Sequence, residues 1–77
     1  MRFSAAMEMC IYGKHKITRP SWNGSGQYVS LGENITFIEG GVVFGCDKAL
    51  IFHGKSGIQV GWLASQGDML ADDWEVL

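Results

Sequence analysis

The chain has 77 residues, a formal net charge of −2 and 47% hydrophobic residues. This length predicts a single domain, residues 1–77, and the mildly acidic charge argues against a protein that grips long DNA or RNA, which needs a basic excess. No run is long and apolar enough for a membrane span and no signal-peptide pattern opens the chain, so we expect a cytosolic protein with reduced cysteines.

The N-terminal segment has the periodicity of one helix face. We predict a helix over residues 4–12, capped by Ser4 and ended by Gly13 in the left-handed conformation. The apolar residues that recur at three-and-four spacing are Phe3, Ala6, Met7, Cys10 and Ile11. This narrow stripe is expected to lie on a sheet.

The next segments predict a β-hairpin. Residues 14–19 are β-tolerant and end at Pro20, which cannot donate to a strand ladder. Residues 27–31 alternate as a half-buried strand does. The intervening Asn-Gly and Gly residues are typical of a turn, so we expect Trp22 to be held out on the connecting loop.

The middle of the chain predicts short strands separated by breaks. Turns are expected at residues 32–34, 39–41 and 54–57, and a loop at 45–48. The expected strands cover residues 35–38, 42–44, 49–53 and 58–62. Short strands joined by glycine-rich turns are typical of an antiparallel sheet.

The C-terminal segment predicts one helical turn and a docked strand. Ser65-x-x-Asp68 is the pattern of an N-cap followed by an acidic residue in the first turn, before a helix of about residues 69–73. So short a helix needs packing to be stable. The apolar residues expected to supply that packing are Trp62, Met69, Leu70 and Trp74. The predicted fold is therefore α+β: an N-terminal helix on a small antiparallel sheet, a C-terminal helical turn and a final strand over residues 74–77.

A chain this small has a marginal core and usually gains stability from disulfides, a metal or self-association. Two cysteines allow at most one disulfide, and no Cys or His pair has the spacing of a structural zinc site. We therefore expect a homo-oligomer, with neither a metal nor a cofactor.

Three sequence blocks resemble one known family. They are Phe-x-x-Ala at residues 3–6, Arg-x-x-Trp-Asn-Gly-x-Gly-x-Tyr at residues 19–28, and the long block from Trp62 to Glu75. Together they are similar to the small phage Thoeris anti-defence proteins of the second type. Two departures stand out, a short middle segment and Gly61 where many members have proline.

The resemblance implies a sponge and not an enzyme. Members of the family bind, without cleaving, a cyclic ADP-ribose-type signal made by a bacterial TIR-domain protein, and some take up cyclic dinucleotides of cyclic-oligonucleotide (CBASS) defence. The family forms homotetramers with ligand pockets between protomers. By this resemblance the protein acts in the cytoplasm of the infected bacterial host.

Nine residues are expected to bind the ligand. Trp22 could stack on a base, Asn23 could pair with its edge, Arg19 could bind phosphate and Asp68 could accept from ribose hydroxyls. The full set is Arg19, Trp22, Asn23, Gly24, Gly26, Tyr28, Ser65, Gln66 and Asp68. The alternatives stay open: tryptophans are often core, Ser65 and Asp68 often only cap a helix, and Arg19 often belongs to a solvated strand face.

Catalytic motifs are weak in this sequence. Cys46 and His53 could be a nucleophile and its base, but a strand over residues 49–53 would keep them well apart, and no third group is marked to orient them. Gly54-Lys55-Ser56 is similar to the end of a phosphate-binding P-loop, but the leading glycine and the following helix are missing, so a turn is predicted. The alternative function is a protein that docks on a host defence enzyme and inhibits it.

Overall fold

A computed structural model describes residues 1–22 and 26–77. It contains two helices and five strands, with the first helix packed against the sheet and against the second helix. In chain order the elements are α1 (Phe3–Ile11), β1 (Ile17–Thr18), β2 (Tyr28–Glu39), β3 (Val42–Gly54), β4 (Gly57–Val60), α2 (Gln66–Leu70) and β5 (Glu75–Val76). The described residues contain no helix long and apolar enough to cross a membrane.

All the strand pairs are antiparallel, and the sheet order is β4-β3-β2-β1-β5. The predicted α+β class is therefore confirmed. The expected pairing of residues 14–19 with 27–31 is confirmed in a shorter form, because β1 contains two residues and Ile17 pairs with Val29.

The expectation of several short strands in the middle of the chain is wrong. β2 and β3 form one long hairpin, closed by Gly40 and Gly41 with positive φ angles of 57° and 80°. The expected turn at 32–34 and the expected loop at 45–48 both lie within this ladder, where Glu33 pairs with Lys48. The ladder skips Asn34, which keeps a left-handed backbone with φ 53°, so strand pairing on both sides of it overrides the local turn preference.

Beyond the Glu33–Lys48 pair the hairpin is a two-stranded arm, defined here as residues 35–46. Both faces of the arm carry apolar side chains. Phe37 and Phe44 stack on one face with ring centroids 5.6 Å apart, while Ile38 and Val43 face each other on the other. Ile38 is 73% exposed and Val43 is 64% exposed, so this part of the sheet lacks a covering layer among the described residues.

The predicted N-terminal helix is present, but its expected ends are wrong. Arg2, and not Ser4, is the N-cap residue, and it makes no side-chain capping hydrogen bond. At the other end the left-handed residue is Lys14, with φ 59°, and not Gly13. A β-carbon at Gly13 would lie 2.7 Å from the Met9 carbonyl oxygen, so close backbone approach explains this glycine.

The core lies between the helices and the centre of the sheet. Its fully buried members come from α1, from β1 and β2, and from the segment before β5: Ala6, Cys10, Ile17, Val29 and Trp74. Trp74 is 1% exposed, and its indole Nε1 donates to the Asp68 carbonyl oxygen over 2.9 Å. The expectation that Trp74 belongs to the core is confirmed.

The docked C-terminus is also confirmed. Glu75 and Val76 pair with β1, and the Leu77 amide donates to the Lys16 carbonyl oxygen. The ammonium group of Met1 donates to the Asp72 and Trp74 carbonyl oxygens, so both chain ends meet at the edge of the sheet.

We predict that Trp74→Ala lowers the free energy of unfolding by about 3–5 kcal/mol, because it leaves a large cavity in a small core. Urea titration followed by circular dichroism measures the change. Leu63→Ala is the control, since Leu63 is 87% exposed and its truncation should change stability by less than about 0.5 kcal/mol. Equal stabilities of the two variants would contradict this account of the core.

Candidate functional site

A cluster of aromatic rings surrounds Trp22, next to the core. The Trp22 ring meets the rings of Phe52, Trp62 and Trp74 edge-on, with centroid distances of 5.4, 6.4 and 5.3 Å. Trp22 is therefore partly buried against the sheet, and the expectation that it is held out on the loop is wrong. Edge-to-face contacts of this kind fix the orientation of a ring as well as burying it.

Asp68 holds the cluster from the α2 side. One of its carboxylate oxygens accepts from Trp22 Nε1 at 3.1 Å and from the Arg19 guanidinium at 2.8 Å. The other accepts from the Ser65 backbone amide at 3.2 Å. Asp68 is 9% exposed, so a single nearly buried carboxylate sets the indole orientation and caps a helix.

Arg19 lies between two carboxylates. It donates to Asp68 through Nη1 and to Asp73 through Nε at 2.7 Å, and Ser21 also donates to Asp73. One guanidinium and two carboxylates give this group a net charge of −1. Arg19 thus already donates to two carboxylates, and a phosphate would compete with them for the guanidinium.

The same contacts shift the pKa values of both carboxyl groups. Burial raises the pKa of Asp68, but hydrogen bonds from Arg19, Trp22 and Ser65 outweigh it, and the pKa lies below its ordinary value. Hydrogen bonds from Arg19 and Ser21 lower the pKa of Asp73. Both groups are therefore anionic at neutral pH.

An open concavity of about 220 Å³ lies against the aromatic cluster. Its lining consists of three aromatic rings, one amide and one carboxylate: Trp22, Phe52, Trp62, Gln27 and Asp68. An apolar cleft with a few convergent polar groups is the usual form of a small-molecule site. Flat rings beside a hydrogen-bond acceptor suit a planar heterocycle that carries an N–H or O–H donor.

The nine residues expected to bind ligand fall in different places. Trp22 and Asp68 line the concavity, and Arg19 lies behind Asp68. Gly26 and Tyr28 line a separate concavity beside Lys16, where the Tyr28 ring stacks on His53 at 4.2 Å. The predictions for Asn23 and Gly24 lie outside the described residues.

Ser65 and Gln66 lie at the start of α2. The predicted cap is confirmed, because the Ser65 hydroxyl accepts from the Asp68 amide and the Asp68 carboxylate accepts from the Ser65 amide. The helix itself is Gln66–Leu70, earlier than the expected residues 69–73. The backbone amide of Asp68, in the first turn of α2, therefore already donates to a partner within the chain. Ligand binding by Ser65 and Gln66 stays a prediction.

Three residues of the concavity were absent from the expected set. The sequence predicts that Trp62 packs against the C-terminal helical turn, and it predicts no more for Phe52 and Gln27 than a place in a strand. Phe52 pairs with Val29 across the β2–β3 ladder and so points to the core side. Alternation along the strand could have placed Phe52 on that face. Its contact with the Trp22 ring, however, depends on the fold.

The candidate catalytic pair is not assembled. Cys46 and His53 are seven residues apart on β3, which places them on opposite faces and about 23 Å apart at the rise of a strand. His53 instead lies 3.1 Å from the Ser30 hydroxyl. Among the described residues, no group of three His, Cys, Asp or Glu side chains could hold a metal ion.

We predict that Asp68 makes the stability of the chain pH-dependent. Its folded pKa lies below the unfolded value of about 3.9, so its contribution is complete above that pH and is lost as the pH falls through the folded pKa. Wild type should therefore be more stable than Asp68→Asn at pH 7, and the difference should shrink below about pH 4. Urea titrations of both proteins from pH 7 to pH 2.5 measure it; a constant difference would contradict the prediction.

Comparison with known proteins identifies the family. A comparison with curated proteins finds no match. The family model of the Tad2-like, or Thoeris anti-defense 2-like, domain matches residues 1–77, which is the whole chain. The resemblance seen in the sequence blocks is thereby confirmed, and the chain belongs to the Thoeris anti-defense 2-like family.

Proposed function

We propose that this chain counters Thoeris defence by binding and sequestering a cyclic ADP-ribose-type signal without cleaving it. The observation that carries the proposal is the aromatic concavity beside Asp68, in a chain of the Thoeris anti-defense 2-like family. A small domain that binds the signal made by a TIR-domain protein lowers the free concentration of that signal. The effector that the signal activates then stays idle.

The base of the signal would lie in the concavity. Trp22 and Trp62 offer indole surface, and stacking of a base on an aromatic side chain contributes about 1–3 kcal/mol. The Asp68 carboxylate borders the same space and can accept a hydrogen bond from an exocyclic amino group. The same chemistry also suits the purines of a cyclic dinucleotide, which makes such ligands of CBASS defence a second class to test.

Binding without cleavage is supported by the chemistry around the concavity. Asp68 is hydrogen-bonded to Arg19, Trp22 and Ser65 and has a lowered pKa, so it is a weak base and cannot act as an acid at neutral pH. The Cys46–His53 pair is dispersed over the sheet, and neither residue lines the concavity. The family assignment supports the same non-catalytic role.

Self-association belongs to this proposal, and the arm is the surface that supports it. A two-stranded hairpin is marginal in water without a covering layer, and this one exposes Ile38, Val42, Val43 and Phe44. A second copy of the chain would cover these side chains and add residues to the open concavity. A homotetramer is the expected assembly. The alternative function is that of a protein that docks on a host defence enzyme and inhibits it.

We predict that a cyclic ADP-ribose isomer stabilises the wild-type protein. At a hundredfold excess over Kd, binding to the folded state adds about 2.7 kcal/mol. A thermal-shift panel of cyclic ADP-ribose isomers and cyclic dinucleotides measures it, and mass spectrometry should recover the ligand unchanged. No shift with any member, or a cleaved product, would contradict the proposal.

Trp22 is expected to account for most of this binding. Trp22→Ala should abolish the shift and also lower stability by an intermediate amount, because the ring packs on Phe52 and Trp74. Trp22→Phe keeps an aromatic face. It should restore part of the ligand-induced shift and part of the stability of the free protein. An unchanged shift in Trp22→Ala would place the ligand elsewhere.

We predict that the protein is an oligomer at micromolar concentration and that Val43→Lys on the arm dissociates it, because a buried ammonium opposes association. Multi-angle light scattering measures the mass. Tyr12→Lys is the control, since Tyr12 is also an exposed large hydrophobic residue but lies at the end of α1. A monomeric mass for the wild-type protein would contradict a ligand site formed between subunits.

A further inference from the structure

A second concavity continues the aromatic one towards the end of the sheet. It has a volume of about 330 Å³, and both concavities share Gln27 and Phe52 in their linings. Its other walls come from β4 and the β3–β4 turn: Gly54, Lys55, Ser56, Gly57, Ile58 and Gln59. The aromatic concavity alone, at about 220 Å³, is small for a ligand that carries a base, two riboses and a pyrophosphate.

Phe52 connects the two spaces physically. Its ring meets Trp22 edge-on, and a β-carbon at Gly54 would lie 2.7 Å from the same ring. The Phe52 ring therefore lies directly over the backbone that enters the turn. A ligand stacked beside Trp22 and extended along Phe52 arrives at Lys55 and Ser56.

The charges of the two spaces differ. The aromatic concavity borders the Arg19 group, whose net charge is −1, and this opposes a pyrophosphate there. Lys55 lines the second space and, within the described part of the chain, forms no ion pair with a carboxylate. Its ammonium group and the Ser56 hydroxyl are the donors that a phosphate accepts from.

We infer that the β3–β4 turn, through Lys55 and Ser56, binds the phosphate-bearing end of the ligand whose base lies beside Trp22. Arg19 and Asp73 then act as a structural clamp for Asp68 and do not contact the phosphates. This inference rests on the proposed function and assigns the anion-binding half of the same site. It also gives the Gly54-Lys55-Ser56 segment a phosphate-binding role without a P-loop fold.

The test uses the cyclic ADP-ribose isomer that most stabilises the wild-type protein in the thermal-shift panel. Calorimetric titration should give a Kd about tenfold weaker for Lys55→Ala, because one charge-assisted hydrogen bond to phosphate is lost. Lys55→Arg should bind as wild type does, and Lys55→Glu should bind more weakly than Lys55→Ala. The thermal midpoint of each free protein should stay unchanged, since Lys55 is exposed.

Lys48→Ala is the matched control. It removes the same charge from an exposed position on β3, about 20 Å along the strand from its end at Gly54, and should change Kd less than twofold. Unchanged binding by Lys55→Ala, or equal weakening by both alanine variants, would overturn the inference while leaving the proposed function standing. A wild-type protein that binds no member of the panel would overturn both.

Discussion

The hydrogen bonds that converge on the Asp68 carboxylate are the constraint on which the site depends. That carboxylate caps α2 through Ser65, orients the Trp22 indole and holds Arg19, although these residues come from distant parts of the chain. A nearly buried carboxylate is costly unless its lone pairs are occupied, and here the ordinary cost of burial is offset by three donors. The C-terminal segment is therefore fixed to the loop that follows β1.

Under the proposed function, this arrangement serves both stability and binding. Trp74 closes the core below the cluster, while Trp22 and Trp62 form the wall of the concavity above it. A ring that is half in the core and half in a ligand site is preorganised, so little conformational entropy is lost on binding. The family assignment gives this geometry its biological context in Thoeris anti-defence.

Local sequence patterns predicted the elements that are governed by local physics. Ser65-x-x-Asp68 indicated a helix cap, and the capping box is present; the terminal apolar residues indicated a docked strand, and β5 pairs with β1. The middle of the chain was different. Its glycines and polar residues indicated a turn at 32–34 and a loop at 45–48, yet both segments lie in the long hairpin, where Glu33 pairs with Lys48. Propensity within either segment alone carries no information about that partner.

The lining of the concavity was predicted only in part, because it also depends on long-range contacts. Trp22 and Asp68 stood out as residue types suited to a nucleotide, and both line the concavity. The role of Arg19 depends on Asp73, which lies 54 residues away in sequence, so only the fold could reveal that the guanidinium is already paired. Phe52 and Lys55 belong to strands and turns of ordinary composition, and the register of β3 with β4 brings both to the lining of the second concavity.

The central claim is that the protein captures an intact nucleotide signal. The most direct measurement is mass spectrometry of small molecules released by denaturing the protein after incubation with lysate of cells whose TIR-domain enzyme is active. The account predicts an uncleaved cyclic ADP-ribose isomer in the wild-type sample and its loss from the Trp22→Ala sample. Release of linear fragments, or of the same ligand from both proteins, would contradict it.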